Sequence, residues 1–308
     1  MKVLPIHGNE NWLCDRYAQE WKDLNTFHAC PYNNSNDADV LWLLAPWEWK
    51  QIPKAYLETK KVVCTIHHMV PDKTDESTWK EFEERDKYID AYHTPCFPSY
   101  AQFGPRIGHK PFLINPFWCN NEIFKPIDDK IGLREKYGIK QKAHLMGSFQ
   151  RDTEGSDLSS PKLEKGPDVF CDIIEKEKEK NPDVEVLLAG WRRQYVINRL
   201  NKAGIKYYYF ELPSIKTINE LYNCLDLYVV AARYEGGPQS IPECIMTNTP
   251  IVSTPVGLSS KLLHPKSIFS SSSNFNRASP DLSWGERAIA PYIIPEGFKP
   301  FNDFFDSL

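Results

Sequence analysis

No window of this chain approaches the roughly 20 consecutive apolar residues that a membrane-spanning helix needs, so the sequence predicts no transmembrane segment. There is no C-x-x-C pair and no short His/Cys cluster of the kind that holds structural zinc; the eight cysteines stand scattered at 14, 30, 64, 96, 119, 171, 224 and 244 and predict reduced thiols. Excess charge of one sign is also missing. Residues 1–125 hold 14 Lys and Arg against 17 Asp and Glu, and residues 126–308 hold 23 against 24, which excludes a basic nucleic-acid binder and strong attachment to anionic membranes through net charge. The opening Met-Lys-Val-Leu-Pro-Ile-His-Gly has too short an apolar run for a signal peptide. These absences predict a cytoplasmic protein, or one working peripherally at a cytoplasmic membrane face, and they make the sequon Asn33-Asn34-Ser35 incidental.

What is present is a globular composition: 41% hydrophobic and 25% charged residues, with aromatics at 13% including nine Trp. A length of 308 residues accommodates two domains. Short β-rich apolar runs alternate with polar helical stretches, the pattern of parallel α/β sheets. The runs lie at 3–6, 40–44, 62–66, 91–94 and 112–114, then at 144–149, 184–189, 206–210, 225–230 and 251–253. Helices are predicted over 11–24, 76–88, 167–180, 195–203, 218–224 and 241–247. Two Rossmann-like units in series follow, with a boundary at the Pro- and charge-rich 124–129, giving residues 1–125 and 126–290. A Ser-rich stretch at 267–279 reads as an irregular loop. The last segment, 291–308, carries Phe298, Phe301, Phe304 and Phe305 and is expected to pack back on the first domain.

The chemistry concentrates in residues 233–257. After the strand run 225–230 come Arg233-Tyr234-Glu235-Gly236-Gly237-Pro238, a helix start, and the strand 251–253. A loop at the carboxyl end of a parallel strand, followed by a helix N-terminus, is where open α/β sheets bind ligands; adjacent glycines let a ligand approach the backbone, and helix-start N–H groups favour anionic oxygens. Glu235 and Glu243 stand eight apart. Glu243 also fits a structural role, because Ser240-Ile241-Pro242-Glu243 is a capping-box pattern with Ser240 as N-cap. Glu235 has no comparable structural reason.

The order Tyr234-Glu235-Gly236-Gly237-Pro238, then Pro242-Glu243-Cys244, then Thr249-Pro250-Ile251-Val252-Ser253-Thr254 and Val256-Gly257, resembles retaining glycosyltransferases of family 4, the glycosyl transferases group 1, with their E-x7-E motif. The resemblance implies a GT-B fold: two Rossmann-like domains with parallel sheets facing a central cleft, the acceptor on the first and a nucleotide sugar on the second. It implies that Glu235 lies by the donor sugar, that Glu243 accepts from the ribose hydroxyls, and that Gly236, Gly237 and Pro238 line the donor. Gly147-Ser148-Phe149-Gln150-Arg151, followed by Lys162, Lys165 and Gly166-Pro167, resembles the family's Gly-rich strand end, Arg and Lys-Gly pair. Gly147, Arg151 and Lys165 thereby become donor-binding candidates. Two fixed cations and a helix N-terminus suit a departing diphosphate without a metal. The intervening 13 residues are a polar insert, longer than the family's, and Lys162 remains an alternative to Lys165.

In the first domain the strand run 62–66 ends in His67-His68, and the family places a histidine at that strand end facing the donor sugar; His67 fits by order, with a buried structural histidine as the competing reading. Gly8 opens a loop, 8–12, expected at the same cleft, while Trp47 and Trp49 are candidates for stacking on an acceptor sugar or for core packing. Asp37-Ala38-Asp39 precedes a strand and reads as loop, so no metal is expected. The implied activity is transfer of a hexose-like sugar from a UDP- or GDP-sugar to a hydroxyl of a glycan or lipid-linked acceptor, with retention and with the leaving phosphate taking the acceptor's proton. A nucleotide-sugar-binding protein without transfer activity and a GT-B epimerase are the alternatives.

Overall fold

The computed structural model of the chain describes residues 1–10, 13–31, 35–155 and 157–308. Asn11 and Trp12, within the expected 8–12 loop and the first helix, and Asn33 and Asn34 of the sequon lie outside the described residues. The chain divides into two compact units, Met1–Cys119 with Pro291–Leu308, and Asn120–Ala290.

The first unit alternates β1 (Val3–Ile6), α1 (Leu13–Leu24), β2 (Val40–Leu43), α2 (Lys54–Thr59), β3 (Lys61–Thr65), α3 (Glu76–Asp86), β4 (Ala91–Thr94), α4 (Phe97–Phe103) and β5 (Phe112–Ile114). The five strands are parallel and paired in chain order. Successive side chains in a strand point to opposite faces, so each strand feeds two cores. Val40, Trp42 and Val63 pack with Tyr17 and Trp21 of α1 and with Phe298, Phe301 and Phe305. Leu43, Val62 and Cys64 pack with Leu57, Phe82 and Phe103 of α2, α3 and α4. Burial on both faces is why these strands read as continuous apolar runs. The three Phe side chains around the helix Lys299–Asp306 are fully buried, each contributing about 2–3 kcal/mol of apolar burial.

The second unit follows with α5 (Lys130–Lys136), β6 (His144–Phe149), α6 (Pro167–Lys180), β7 (Val184–Ala189), α7 (Gln194–Lys202), β8 (Tyr207–Phe210), α8 (Ile215–Cys224), β9 (Leu227–Val230), α9 (Ser240–Met246), β10 (Ile251–Ser253), α10 (Ser259–Leu262) and α11 (Ser283–Ile289). Side-chain oxygens of Asp75, Asp129 and Ser214 accept from first-turn N–H groups and start α3, α5 and α8. All ten strands fall on the apolar runs of the sequence, and two parallel five-stranded sheets with covering helices make the GT-B architecture. The Ser-rich stretch is irregular but anchored, because Phe269 and Phe275 are buried in the core that α6 and α7 form on the second sheet. Among the described residues no helix is long and apolar enough to cross a membrane.

Candidate active site

The second sheet has the order β10-β9-β6-β7-β8. The chain runs outward from β6 through β7 to β8, then returns to the other side of β6 with β9 and β10, so the direction of winding reverses between β6 and β9. In an open parallel sheet the connections on either side of such a reversal diverge and leave a crevice beyond the carboxyl ends of the strands. The first sheet, in the order β1 to β5, has no such reversal among the described residues. At the reversal of the second sheet stand Gln150 and Arg151 after β6, and residues 231–238 after β9.

Residues 151–165 fold back on themselves to bring cations to this point. Asp152 N–H donates to the Arg192 carbonyl (3.1 Å), Lys162 N–H to the Asp152 carbonyl (2.8 Å), and Thr153 bridges to Pro161. Asp152 is fully buried against the equally buried Arg193 (Nε–Oδ2 3.0 Å). The polar insert is therefore tied down at both ends. Lys165 and Arg151 each come close enough to Lys162 for their charges to act on it. Burial holds the Lys162 ammonium below its usual range, Glu164 (3.4 Å) draws it back up, and repulsion from Lys165 and Arg151 lowers it further. The sequence alternative of Lys162 or Lys165 becomes a pair.

Gly166 turns the chain from Lys165 into α6 with φ +63°, and a Cβ there would lie 1.8 Å from the Ala231 carbonyl oxygen. Only glycine fits this left-handed, closely packed position. The backbone contact presses the start of α6 against the end of β9. Arg233 and Tyr234 N–H groups donate to the Glu164 carbonyl (2.8 and 3.1 Å), and Arg233 makes a two-pronged pair with Asp168 (2.8 and 2.6 Å). In that frame Lys165 Nζ donates to Glu235 Oε1, with both side chains mostly buried, while Gln150 Nε2 donates to the Lys165 carbonyl (2.8 Å). Gly257, at φ +52°, backs the loop; a Cβ there would stand 2.8 Å from Pro238 Cδ and 3.0 Å from the Glu235 carbonyl and Gly236. Lys165, Glu235 and residues 236–238 are thus brought together, and Arg151 joins them only through Lys162, on which both its charge and that of Lys165 act.

The start of α9 and the middle of β6 differ from what the sequence suggests. The Ser240 capping box does not form: Gln239 occupies the N-cap of α9 without a side-chain bond, and Ser240 is already helical. Glu243, buried, instead accepts from the Tyr222 hydroxyl (2.8 Å), and burial followed by the Glu243 charge drives that phenol well above its ordinary range. Gly147 sits within β6, where a Cβ would lie 2.6 Å from Leu225 Cδ2, so packing accounts for its glycine. Trp191 lies in the segment 190–193, where the resemblance implies backbone contacts to a donor base. It is 38% exposed after β7, with the Arg192 and Arg151 guanidinium carbons 4.1 and 6.0 Å from its ring centroid.

In the first unit His67 follows β3 half-buried. Its Nε2 lies 2.8 Å from the Leu44 carbonyl, its ring stacks on Phe117, and its own carbonyl accepts from Ser99 (2.6 Å). His68 beside it is also half-buried. Gly8 approaches Glu48 and Glu10, whose nearest atoms would be 3.2 Å from an added Cβ. Trp47 is exposed, whereas Trp49 stacks on Tyr88 and packs against the core of α2, α3 and α4. The sequence reading passed over His7, directly after β1, whose Nδ1 is 2.5 Å from Asp15 Oδ1. A histidine ending a strand with Asp in the first turn of the next helix was the available signal. Of the D-x-D pattern, Asp39 accepts from the Lys2 N–H (2.7 Å), and among the described residues no group of three or more His, Cys, Asp or Glu is placed to hold a metal.

Residues 158–269 match the family model described as "Glycosyl transferases group 1". The lipopolysaccharide core biosynthesis mannosyltransferase LpsB of Rhizobium meliloti (strain 1021) is 26% identical over 147 residues, 46% of this chain and 39% of the relative. The chain thus aligns with about two fifths of that curated relative. Among solved structures, Anabaena Alr3699/HepE in complex with UDP-glucose superposes with a TM-score of 0.76 at 13% identity, covering 100% of both chains. WaaG, a glycosyltransferase involved in lipopolysaccharide biosynthesis, does so with 0.66 at 12% identity, covering 99% of this chain and 98% of that one. Likeness at these identities is a likeness of fold.

Proposed function

We propose, for a chain whose residues 158–269 match the family model of the glycosyl transferases group 1 and whose two sheets have the GT-B architecture, that it transfers a hexose-like sugar from a nucleotide-diphosphate sugar to a hydroxyl acceptor, with retention and without a metal. The observation that carries this reading is the Lys165–Glu235 pair at the winding reversal of the second sheet, with Lys162 close enough to both Lys165 and Arg151 for their charges to act on it. When the anomeric carbon leaves the phosphate, negative charge grows on the nucleoside diphosphate. Cations already fixed there stabilise that charge without reorganising, and the positive end of α6 adds to them. Glu235, held by Lys165, stands beside the sugar and accepts from its hydroxyls. Glu243 serves the ribose, with Tyr222 fixing its carboxylate. The UDP-glucose named with the Anabaena structure supports a uridine donor, and the lipopolysaccharide relative supports a glycan or lipid-linked acceptor held by the first unit, with Gly8, His67, His68 and Trp47 on that side.

Thermal-shift and calorimetric titration with UDP-, GDP- and ADP-sugars tests the reading. One of these should stabilise the protein, and the gain should disappear in Lys165→Ala. If none binds, or if a Lys165→Ala protein that folds normally binds and transfers as the wild type does, the assignment is wrong. Binding without release of nucleoside diphosphate in the presence of acceptors would leave a nucleotide-sugar-binding protein.

A further inference from the structure

Every exposed side chain between residues 97 and 112 is either apolar or basic. Phe97, Pro98, Ala101, Pro105, Pro111 and Phe112 are exposed, and the other two exposed side chains of the stretch are Arg106 and His109. From residue 91 to residue 121 the chain has no Asp or Glu. A water-facing surface ordinarily carries charges of both signs, so a patch without acids and mostly without polar groups calls for an occupant.

The first unit gathers these residues by its local folding. α4 turns Ser99 and Phe103 inward, Ser99 donating to the His67 carbonyl (2.6 Å), and this leaves Phe97 and Ala101, four apart, on its outer face. β5 is the edge strand of the sheet, and its Phe112 stacks on Tyr100 of α4 with ring centroids 4.4 Å apart; Tyr100 in turn meets Phe97 at 6.2 Å. Phe97 and Phe112 remain 66% and 46% exposed. The Arg106 guanidinium lies 3.8 Å from the centroid of the Trp79 ring and reaches Glu83 of α3 at 3.7 Å, with both charged side chains largely in solvent. Such a pair is weak and is readily exchanged for another anion, whereas Lys110 is held more firmly by Asp86 (2.7 Å).

We propose that this surface rests on an anionic lipid bilayer, with Phe97 and Phe112 inserted among the headgroups and Arg106 against lipid phosphate. Aromatic rings favour that interface, and basic side chains beside them add attraction to anionic headgroups at short range. A second copy of the chain paired along β5 fits less well, because the strand has three residues and Pro111, at its entrance, has no N–H to give. Acids outnumber bases in residues 1–125, so the attachment belongs to this surface and not to net charge. It needs no sugar nucleotide and stands apart from the transfer reading.

The test sediments the full chain with vesicles of phosphatidylcholine, with and without phosphatidylglycerol, in the absence of donor and acceptor. The protein should bind the phosphatidylglycerol vesicles, and less so as salt rises. Replacing Phe97→Ser and Phe112→Ser together should lower the partition about 10-fold or more, and Arg106→Gln should lower it about fivefold, with Tm little changed. No vesicle binding, binding indifferent to phosphatidylglycerol, or binding untouched by the aromatic replacements overturns the proposal. A dimer in light scattering that the same replacements dissolve also overturns it, and gives the surface to a second copy. Should the variants fold poorly, hydrogen exchange of the wild-type chain decides: vesicles should slow exchange within residues 97–112, and protection confined to other segments refutes the proposal.

Discussion

Lys165 and Glu235, 70 residues apart in sequence, form an ion pair in which both side chains are largely withdrawn from solvent. The ammonium assigned to the departing phosphate is thereby held by the carboxylate assigned to the sugar, so each residue sets the position of the other. Lys165→Ala should weaken donor binding about 10–100-fold, and Glu235→Gln should lower kcat about 10²–10³-fold with a smaller change in donor affinity. Calorimetric titration alongside steady-state kinetics separates the two effects. Equal losses of affinity in both variants would count against distinct roles.

Gly166→Ala should disturb folding and binding together. The left-handed backbone alone costs about 1–3 kcal/mol for a residue with a Cβ, and the overlap with the Ala231 carbonyl adds to it. Urea denaturation should show the loss of stability, and donor affinity should fall because Lys165 is displaced from the end of β9. Gly204→Ala provides a comparison: it shares a positive φ, but its added Cβ meets nothing, so it should lose less and leave binding intact.

Asp226 gives the fold an acid-sensitive tie. Burial raises its carboxyl, but Lys130 (2.8 Å), the Leu145 N–H (2.7 Å) and Arg134 (2.7 Å) together outweigh burial and leave it below the ordinary value. A group lowered in the folded state contributes stability that is complete above its unfolded value, near 3.8, and is lost as pH falls through the lower folded value. Asp226→Asn should therefore cost about 1–3 kcal/mol at neutral pH. The gap to wild type should close in acid, below pH 3.8. Chemical denaturation at several pH values measures it; a constant gap would refute the linkage.

Phe301 is fully buried among Trp42, His93, Phe117 and Trp118, with ring centroids 4.9–5.8 Å away. Phe301→Ala should destabilise the first unit by about 3–5 kcal/mol. Because the Lys165–Glu235 pair belongs to the other unit, a nucleotide sugar should still bind wherever the variant remains folded. Tryptophan fluorescence should detect the first effect and calorimetry the second.

Strands were legible because each buries both faces, which writes a continuous apolar run; shifts were confined to ends such as Lys61, Tyr207 and Leu227. Strand order was not legible. Whether β9 returns beside β6 depends on pairings such as Met146 with Leu227, and nothing local encodes them. The same nonlocality divides the candidate site. The Glu235 loop could be read from glycines and a helix start that adjoin it, but the place of Lys162 depends on Asp152 reaching Arg193, 41 residues away. The capping box that Ser240 and Glu243 offered as an alternative does not form, and its replacement was not legible because the partner of Glu243, Tyr222, lies on another helix. His7 was overlooked although the sequence held a signal for it, a strand-ending histidine followed by Asp15 in the first turn of α1.

The return of β9 to β6 also bears on the order in which the protein acquires its properties. That parallel pairing joins residues about 80 positions apart and closes around β7 and β8, so loop-closure entropy delays it relative to the nearer pairing of β6 with β7. The cations after β6 and the carboxylate after β9 meet only once it has formed. A nascent or refolding chain therefore gains its nearer strand pairs before these groups can meet, and their meeting marks the completion of the second unit rather than its beginning.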